Sequence, residues 1–442
     1  MNKSTLALAV AAGVLAQQAG AAGFIEDSKA TLGLRNFYIN TDNRSGAANP
    51  SRNEEWGQGF DLRFISGYTQ GAVGFGVDAI GLLGVRLDSG GGTNGAANGA
   101  AYGGTVFPSE SNGEAVDNFS SLGLTAKAKI SQTELKLGTL QPKLPVIVTN
   151  DGRLLPQTFQ GGQITSGEIK DLTLIGGQIE HVKGRNSSSN EQLSIGGASA
   201  RTANSNKFIY AGGDYKITKD LTAQYYYGNL EDFYKQHFLG LVHNWSIGPG
   251  VLKSDLRYFN SSDDGLNGNT ATYYSNGNYN STANGKGKVD NNLYSGLFLY
   301  TVAGHTFGGG YQVSNGSSDF PWLNQGDGSS AYLTTDSQIA KFARAGERTW
   351  QARYSYDFAK VGVPGLTAGI VYLHGDDIDT RSPASTDSSE WERDLTVGYV
   401  VPEGPLKNVG LMWKNATWRT NIPGQRDQDE NRLIVSYSIP LL

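Results

Sequence analysis

Residues 73–88, VGFGVDAIGLLGVRLD, alternate between apolar and small or polar side chains along most of their length. One face carries Val73, Phe75, Val77, Ala79, Leu83, Val85 and Leu87, and the other carries Gly74, Gly76, Asp78, Gly84, Arg86 and Asp88. A period of two puts successive side chains on opposite faces of a β-strand. The stretch therefore predicts one long strand with an apolar face and a polar face.

The same alternation recurs through the chain and predicts eighteen antiparallel strands. It is clearest in residues 60–69, 350–358 and 432–441. Many of these strands run about 10–14 residues, whereas about 5–6 are typical of soluble sheets, so they are long enough to cross a bilayer at a tilt. The predicted strands are 30–40, 55–69, 71–88, 116–130, 132–141, 157–166, 170–183, 206–217, 220–230, 233–247, 250–262, 287–301, 303–315, 346–359, 363–376, 389–401, 406–420 and 430–441.

Short and long connections take turns between these strands. The long, polar ones are 89–115, 184–206, 262–287, 316–346 and 375–389. Short turns at one rim and long loops at the other are typical of an all-β, transmembrane, antiparallel up-and-down β-barrel, and an even strand number returns both ends to the same side. A soluble β-sandwich or propeller is the alternative, but long strands and the lack of a blade repeat disfavour both.

Composition excludes several other classes of protein. The 442 residues include no Cys, 36 basic and 41 acidic residues. No disulfide framework is therefore possible, and the absence of basic clusters gives no support to nucleic-acid binding. The five His show no metal-ligand spacing, and no nucleophile elbow is present. We predict no enzyme, no metal and no cofactor.

The N-terminus predicts export. Lys3 precedes an apolar run at 6–15, and small residues follow up to Ala22. This is the pattern of a secretory signal peptide. We predict a signal peptide at 1–22 and a single barrel domain at 23–442, located in the outer membrane of a Gram-negative bacterium.

Residues 140–161, LQPKLPVIVTNDGRLLPQTFQG, do not fit a strand. Pro142, Pro145 and Pro156 remove backbone donors, which excludes a central strand, yet the stretch is too apolar for a segment in water. It falls between the fifth and sixth predicted strands and is therefore the third outside loop. An eighteen-stranded barrel leaves a wide lumen. We predict that this loop folds into the lumen and narrows it at about 142–156.

Several segments resemble the OprD family of outer-membrane channels across the whole mature chain. They are GFIEDS at 23–28, LRN at 34–36, SGYTQG at 66–71, GFGVDA at 74–79, NDGRLLPQTF at 150–159 and NRLIVSY at 431–437. The resemblance implies an eighteen-stranded porin whose third loop forms an eyelet. It also implies a row of basic side chains that guides the carboxylate of a small substrate.

Carried over to this sequence, the resemblance implies six basic residues that guide substrate: Arg35, Arg63, Arg153, Lys414, Arg419 and Arg432. Alternation independently places Arg35, Arg63, Lys414 and Arg432 on the lumen face, whereas the facing of Arg419 depends on where a bulge falls after Trp418. Met412 and Lys414 depart from the arginines that relatives often carry, and Lys cannot grip a carboxylate with two parallel bonds as Arg does.

Acidic residues are expected to orient these basic groups. Asp151 lies beside Arg153, and the apolar loop 316–346 contains Asp327 and Asp336, so these three are the acidic eyelet candidates. Two other arginines are expected to make structural pairs: Arg86 with Asp88 and Arg257 with Asp255.

The sequence thus predicts a passive, selective outer-membrane channel for small water-soluble carboxylates. Its partners would be those solutes, membrane lipid and lipopolysaccharide, with no nucleic acid. A general diffusion pore without a binding site and an adhesion barrel acting through its long loops are the alternatives. Both monomer and trimer fit the sequence.

Overall fold

A computed structural model describes residues 23–44, 51–88, 104–111, 113–196, 203–270, 273, 288–324, 330–381 and 384–442. Eighteen long strands form the sheet in these ranges. They are β1 (Lys29–Asn43), β2 (Arg52–Ile65), β3 (Gly74–Asp88), β4 (Asn118–Ile130), β5 (Thr133–Leu140), β6 (Thr158–Ser166), β7 (Leu172–Lys183), β8 (Phe208–Lys216), β9 (Leu221–Leu230), β10 (Tyr234–Ile247), β11 (Gly250–Asp263), β12 (Asp290–Val302), β13 (His305–Gly316), β14 (Arg348–Asp357), β15 (Leu366–Arg381), β16 (Ala384–Val400), β17 (Gly410–Thr420) and β18 (Gln428–Pro440).

The sheet closes on itself. Each strand pairs antiparallel with its neighbour in sequence, and β1 pairs with β18 from Thr31 opposite Pro440 to Asn43 opposite Gln428. Closure removes the free edges that an open sheet would expose. The predicted eighteen-stranded up-and-down barrel is confirmed, including the sixth strand, which carries the weakest pattern.

Alternation separates the outer and inner walls as predicted. Large apolar side chains on the outer wall are exposed, and Leu122 on β4 reaches 72% exposure. The next residue inward on the same strand, Gly123, is buried. An apolar outer band is the surface that a lipid bilayer covers.

One predicted loop proves to be mostly strand. Residues 375–389 were expected to form a long connection, but β15 and β16 extend through most of it, with register shifts between Gly375 and Thr380. The strands continue beyond the apolar band, where both faces are polar and alternation carries no signal. Helix is scarce in the described ranges: one α-helical turn, Leu266–Asn269, and a 3₁₀ turn, Phe358–Val361. None of the described helices is long and apolar enough to cross a membrane.

The apolar core lies inside the barrel, where loops pack on the inner wall. Leu144, Val146 and Ile147 join a cluster with inward aromatic residues of β8 to β11. Leu154 and Leu155 join a second cluster, with Phe37 of β1, Phe107 and Phe119. Both clusters contain residues of the segment between β5 and β6, so this segment is fixed at two points of the wall.

Candidate functional site: a constriction between two inward loops

The loop between β5 and β6, residues 141–157, lies directly on the wall because the wall carries glycine there. We call it the constriction loop. A Cβ on Gly59 of β2 would lie 2.9 Å from the carbonyl oxygen of Leu154, and one on Gly228 of β9 would lie 2.9 Å from the Cβ of Val146. Short strands at Lys143–Leu144 and Ile147–Val148 pair with each other and stiffen the loop.

An ion pair from β1 holds the tip of the constriction loop. Nη1 and Nη2 of Arg35 donate to the two carboxylate oxygens of Asp151 at 2.7 and 3.2 Å. Nη1 also donates to the carbonyl oxygen of Arg153 at 2.7 Å. Arg35 therefore fixes the backbone on both sides of Gly152.

The described residues of a second loop between β13 and β14, 317–324 and 330–347, also fold against the inner wall. Glu392 of β16 accepts hydrogen bonds from the backbone N–H groups of Ile339 and Ala340 at 2.8 and 2.7 Å. Nη2 of Arg353 donates to the carbonyl oxygen of Thr334 at 2.5 Å. We call this segment the second loop.

Arg432 of β18 joins the two loops. Its Nη2 donates to the carbonyl oxygen of Gln338 in the second loop at 3.0 Å, and its Nη1 reaches that of Gly152 in the constriction loop at 3.5 Å. Its Nε donates to Glu430 at 2.6 Å, and Glu430 also accepts from the Gln338 side chain at 3.0 Å. The Nη1 of Arg153 lies 3.9 Å from Glu430.

Between the loops lies a cavity of about 700 Å³ with an excess of positive charge. Three acidic side chains line it: Asp336, Asp394 and Glu430. Six basic side chains line it: Arg153, Arg185, Lys341, Arg353, Lys414 and Arg432. Lys414 lies opposite Arg432 in the strand register, and Arg185 reaches in from the loop after β7, where its Nη1 donates to Asn150 at 3.0 Å.

Two further predicted basic residues line other parts of the lumen. Arg35 borders a cavity of about 290 Å³ with Asp61 and Leu154, and Arg63 borders one of about 320 Å³ beside Asp78 and Lys136. Arg63 forms a two-bond pair with Asp61 on its own strand, at 3.0 and 2.7 Å. Five of the six predicted basic residues thus line either the cavity between the two loops or the wall beneath it.

Comparison with known proteins decides the family. The sequence profile of the OprD family, described as outer membrane porin, matches residues 22–441. The chain belongs to the OprD family of outer-membrane porins. As such it lies in the outer membrane of Gram-negative bacteria, and its relatives are channels for small solutes.

Among sequence relatives of this porin, "Porin-like protein GalP" of Pseudomonas putida is 38% identical over 99% of this chain and 97% of its own. "Porin D" of Pseudomonas aeruginosa is 35% identical over 100% and 99%. Among solved structures, Pseudomonas aeruginosa OccK8 (OprE) is 62% identical with a TM-score of 0.86, covering 95% of this chain and 100% of that one. OpdK with vanillate, from the same organism, is 36% identical with a TM-score of 0.82 and the same coverage.

Arg419 of this porin lies apart from the other predicted basic residues. It is an odd number of positions from Lys414 on a strand with no bulge, so it faces the outside of the barrel, opposite Trp391. Its Nη1 donates to Asp429 at 2.8 Å. The expectation that Arg419 lines the pore is therefore wrong.

The acidic candidates occupy different positions in the porin. Asp336 lines the cavity and pairs with Lys341 at 2.9 Å, whereas Asp151 is held by Arg35. Asp327 lies outside the residues that the structure describes.

The two expected structural pairs have different outcomes. Arg257 does pair with Asp255, through two bonds of 2.8 Å. Arg86 pairs with Asp117, a partner that the sequence did not indicate.

Burial changes the acidity of carboxyl groups in the second loop. Burial raises the pKa of Asp319 to about 7, although Arg344 and the N–H of Ala345 oppose the shift. Burial also raises the pKa of Glu347 well above its usual value, and the nearby Glu390 adds to that effect. Among the described residues, no group of three or more His, Asp or Glu converges as metal ligands would.

Proposed function

We propose that this porin is a passive channel for the uptake of small water-soluble molecules that carry a carboxylate. The observation that carries the proposal is the constriction lined by six basic and three acidic side chains. Such a surface attracts an anionic group where the passage is narrowest. Arg35 and Arg63 would continue the line of positive charge below the constriction.

The acidic neighbours make the proposed binding weak enough for release. A channel must bind its solute well enough to admit it and loosely enough to let it go. Glu430 shares Arg432, and Asp336 shares Lys341, so each of these basic groups is partly neutralised before a solute arrives. Lys414 offers a point charge rather than a flat two-bond grip, which would further shorten the stay of a carboxylate.

The relatives support this choice of substrate class. One solved relative, OpdK, is described with vanillate, which is itself a carboxylate. We also infer that residues 1–22 are a signal peptide removed during export, which N-terminal sequencing of the mature protein would test.

Flux measurements with matched solutes test the proposed selectivity. Benzoate, benzamide and benzylamine have nearly the same size but carry negative, zero and positive charge. We expect proteoliposomes to take up benzoate fastest and benzylamine slowest. Equal uptake rates for the three solutes would indicate a general diffusion pore without a binding site. Uptake of none of the three solutes would contradict the proposed channel function.

A further inference from the structure

One arginine of the barrel faces outward with no acidic partner. Arg393 lies on β16 between Glu392 and Asp394, which turn inward and bind the second loop. Side chains alternate along a strand, so Arg393 lies on the outer wall. Its Nη2 donates to Thr417 at 2.9 Å and to Asn415 at 3.1 Å, both on the neighbouring β17. No carboxylate in the described ranges pairs with it.

Aromatic neighbours fix the depth of Arg393 in the membrane. Tyr372 lies opposite it on β15, and Trp391 lies two positions further toward the loop end. The rings of Tyr372 and Trp391 stack with centroids 5.8 Å apart, and Trp350 packs on Tyr372 at 5.3 Å. Such aromatic girdles mark the boundary between hydrocarbon and headgroups. Arg393 therefore lies at this boundary, in the leaflet nearer the long loops.

An anion at this position would balance the charge of Arg393. An arginine on the lipid face is costly at the midplane of the bilayer and is tolerated near the interface. The amide of Asn415 and the hydroxyl of Thr417 satisfy one nitrogen, but they leave the charge uncompensated. The Nε of Arg393 has no hydrogen-bond partner but is buried, so a ligand on the outer wall cannot reach it. Both bonds of the guanidinium in the described ranges are made by Nη2, which leaves Nη1 to donate to an oxyanion.

Two further arginines lie toward the loop end. Arg419 lies directly opposite Trp391, one diagonal step from Arg393. Asp429 accepts from both Arg419 and Arg44, at 2.8 and 2.6 Å, and Arg44 also pairs with Asp42 at 3.3 Å. Two carboxylates therefore balance these two arginines, whereas the charge of Arg393 is not balanced and needs a ligand from outside the chain.

We propose that Arg393, Asn415 and Thr417 form a site on the outer wall for a phosphate group of lipopolysaccharide. The site faces the leaflet on the side of the long loops, which is the lipopolysaccharide leaflet of an outer membrane. The guanidinium of Arg393 and the hydroxyl of Thr417 offer donors that a phosphate accepts, while Asn415, whose Nδ2 donates to Asn431 at 3.0 Å, holds the guanidinium in place. The site lies outside the lumen and does not depend on which solute the channel carries.

Native mass spectrometry of the purified porin with added lipopolysaccharide tests the proposal. We expect Arg393→Gln to lower the affinity for one bound lipopolysaccharide about tenfold or more, because a charge-assisted bond is lost. Arg393→Lys should give an intermediate loss, since it keeps the charge and loses the planar grip. Arg52→Gln, on the same rim but paired with Glu54 at 3.5 Å, serves as the control and should bind as the wild type does.

Two further arms identify the ligand. Dephosphorylated lipopolysaccharide should bind the wild type weakly, with no more affinity than intact lipopolysaccharide shows for Arg393→Gln. Phosphatidylglycerol should not displace lipopolysaccharide from the wild type. Equal binding of lipopolysaccharide by wild type and both Arg393 variants would overturn the proposal, as would effective competition by phosphatidylglycerol. Faster gel migration before boiling shows that each variant is folded, and benzoate flux should remain that of the wild type.

Discussion

Arg153 carries a charge in a loop whose other buried side chains are mostly apolar, and only 9% of it is exposed. We expect Arg153→Ala to raise small-ion conductance, because a long side chain leaves the cavity between the two loops, and to lower benzoate flux, because a positive charge leaves with it. Single-channel recording and proteoliposome flux measure the two effects. Arg44→Ala, at the outer rim, is the control. Wild-type benzoate flux in Arg153→Ala would show that Arg153 does not guide the solute.

Lys414 and Arg419 lie on one strand but on opposite walls, which provides a matched pair. Lys414→Met should lower benzoate flux several-fold and leave benzamide flux unchanged, because only the charged solute meets the lost ammonium. Arg419→Gln should change neither flux, because its side chain is outside the barrel. Flux assays on both variants check this, and a loss of benzoate flux in Arg419→Gln alone would contradict the inward role given to Lys414.

One ion pair, between Arg35 and Asp151, holds the tip of the constriction loop. We expect Asp151→Asn to make the open-channel current fluctuate more often, because the neutral amide keeps the shape of the carboxylate but loses the charge that holds Arg35. The pair is partly exposed, at 30% and 46% for the two side chains, so it contributes little to overall stability. Single-channel recordings measure the fluctuations. The double variant Arg35→Asp with Asp151→Arg should recover quieter current if the pair acts as a latch, and an equally noisy double variant would argue against one.

The second loop should respond to pH through Asp319. Its pKa rises from 3.8 to about 7 on burial. A buried acid with a raised pKa stabilises the docked loop while protonated, so this contribution is full below about pH 4 and is lost as the pH rises to about 7. Glu390 and Arg344 act on Asp319, and Glu347 acts on Arg344, so these groups belong to the same response.

At higher pH the second loop is less firmly docked and leaves the wall more often. We therefore expect the channel to close more frequently at pH 7.5 than at pH 5.5, as measured in planar bilayers. Asp319→Asn should flatten this dependence, because the amide stays neutral throughout. Glu403→Gln, in an exposed turn at the opposite rim, is the control and should keep the wild-type profile. An unaltered pH profile in Asp319→Asn would exclude Asp319 as the titrating group.

The stability of the whole barrel depends on the apolar side chains of its outer wall, which face lipid. Leu122→Arg places a charge on that wall and should lower the free energy of unfolding by about 2–4 kcal/mol if the position lies near the midplane. Leu122→Ala is the control, because it removes apolar surface without adding charge and should cost less. Urea unfolding in lipid vesicles measures both, and equal losses would mean that this wall does not face hydrocarbon.

Sequence alone predicted the barrel because water on one side and lipid on the other impose a period of two. It failed at 375–389, where the strands leave the lipid and both faces are polar. Arg432 was predictable from the same period, whereas Arg185 and Lys341 lie in loops whose path has no local pattern. Arg353 lies on the polar face of an alternating strand, so the signal for it was present. Arg419 was misplaced because its facing required a bulge that the strand lacks.

The shared attachment of the two inward loops has a mechanical consequence. Arg432 donates a hydrogen bond to a carbonyl oxygen of each loop. The distance between the two loops is therefore set in part by one planar, rigid guanidinium, and the loops do not move independently. A bulky solute that displaces either loop must therefore stretch a bond to Arg432 in addition to that loop's own bonds to the wall. A displacement of the constriction loop is thus passed to the second loop through the side chain of Arg432.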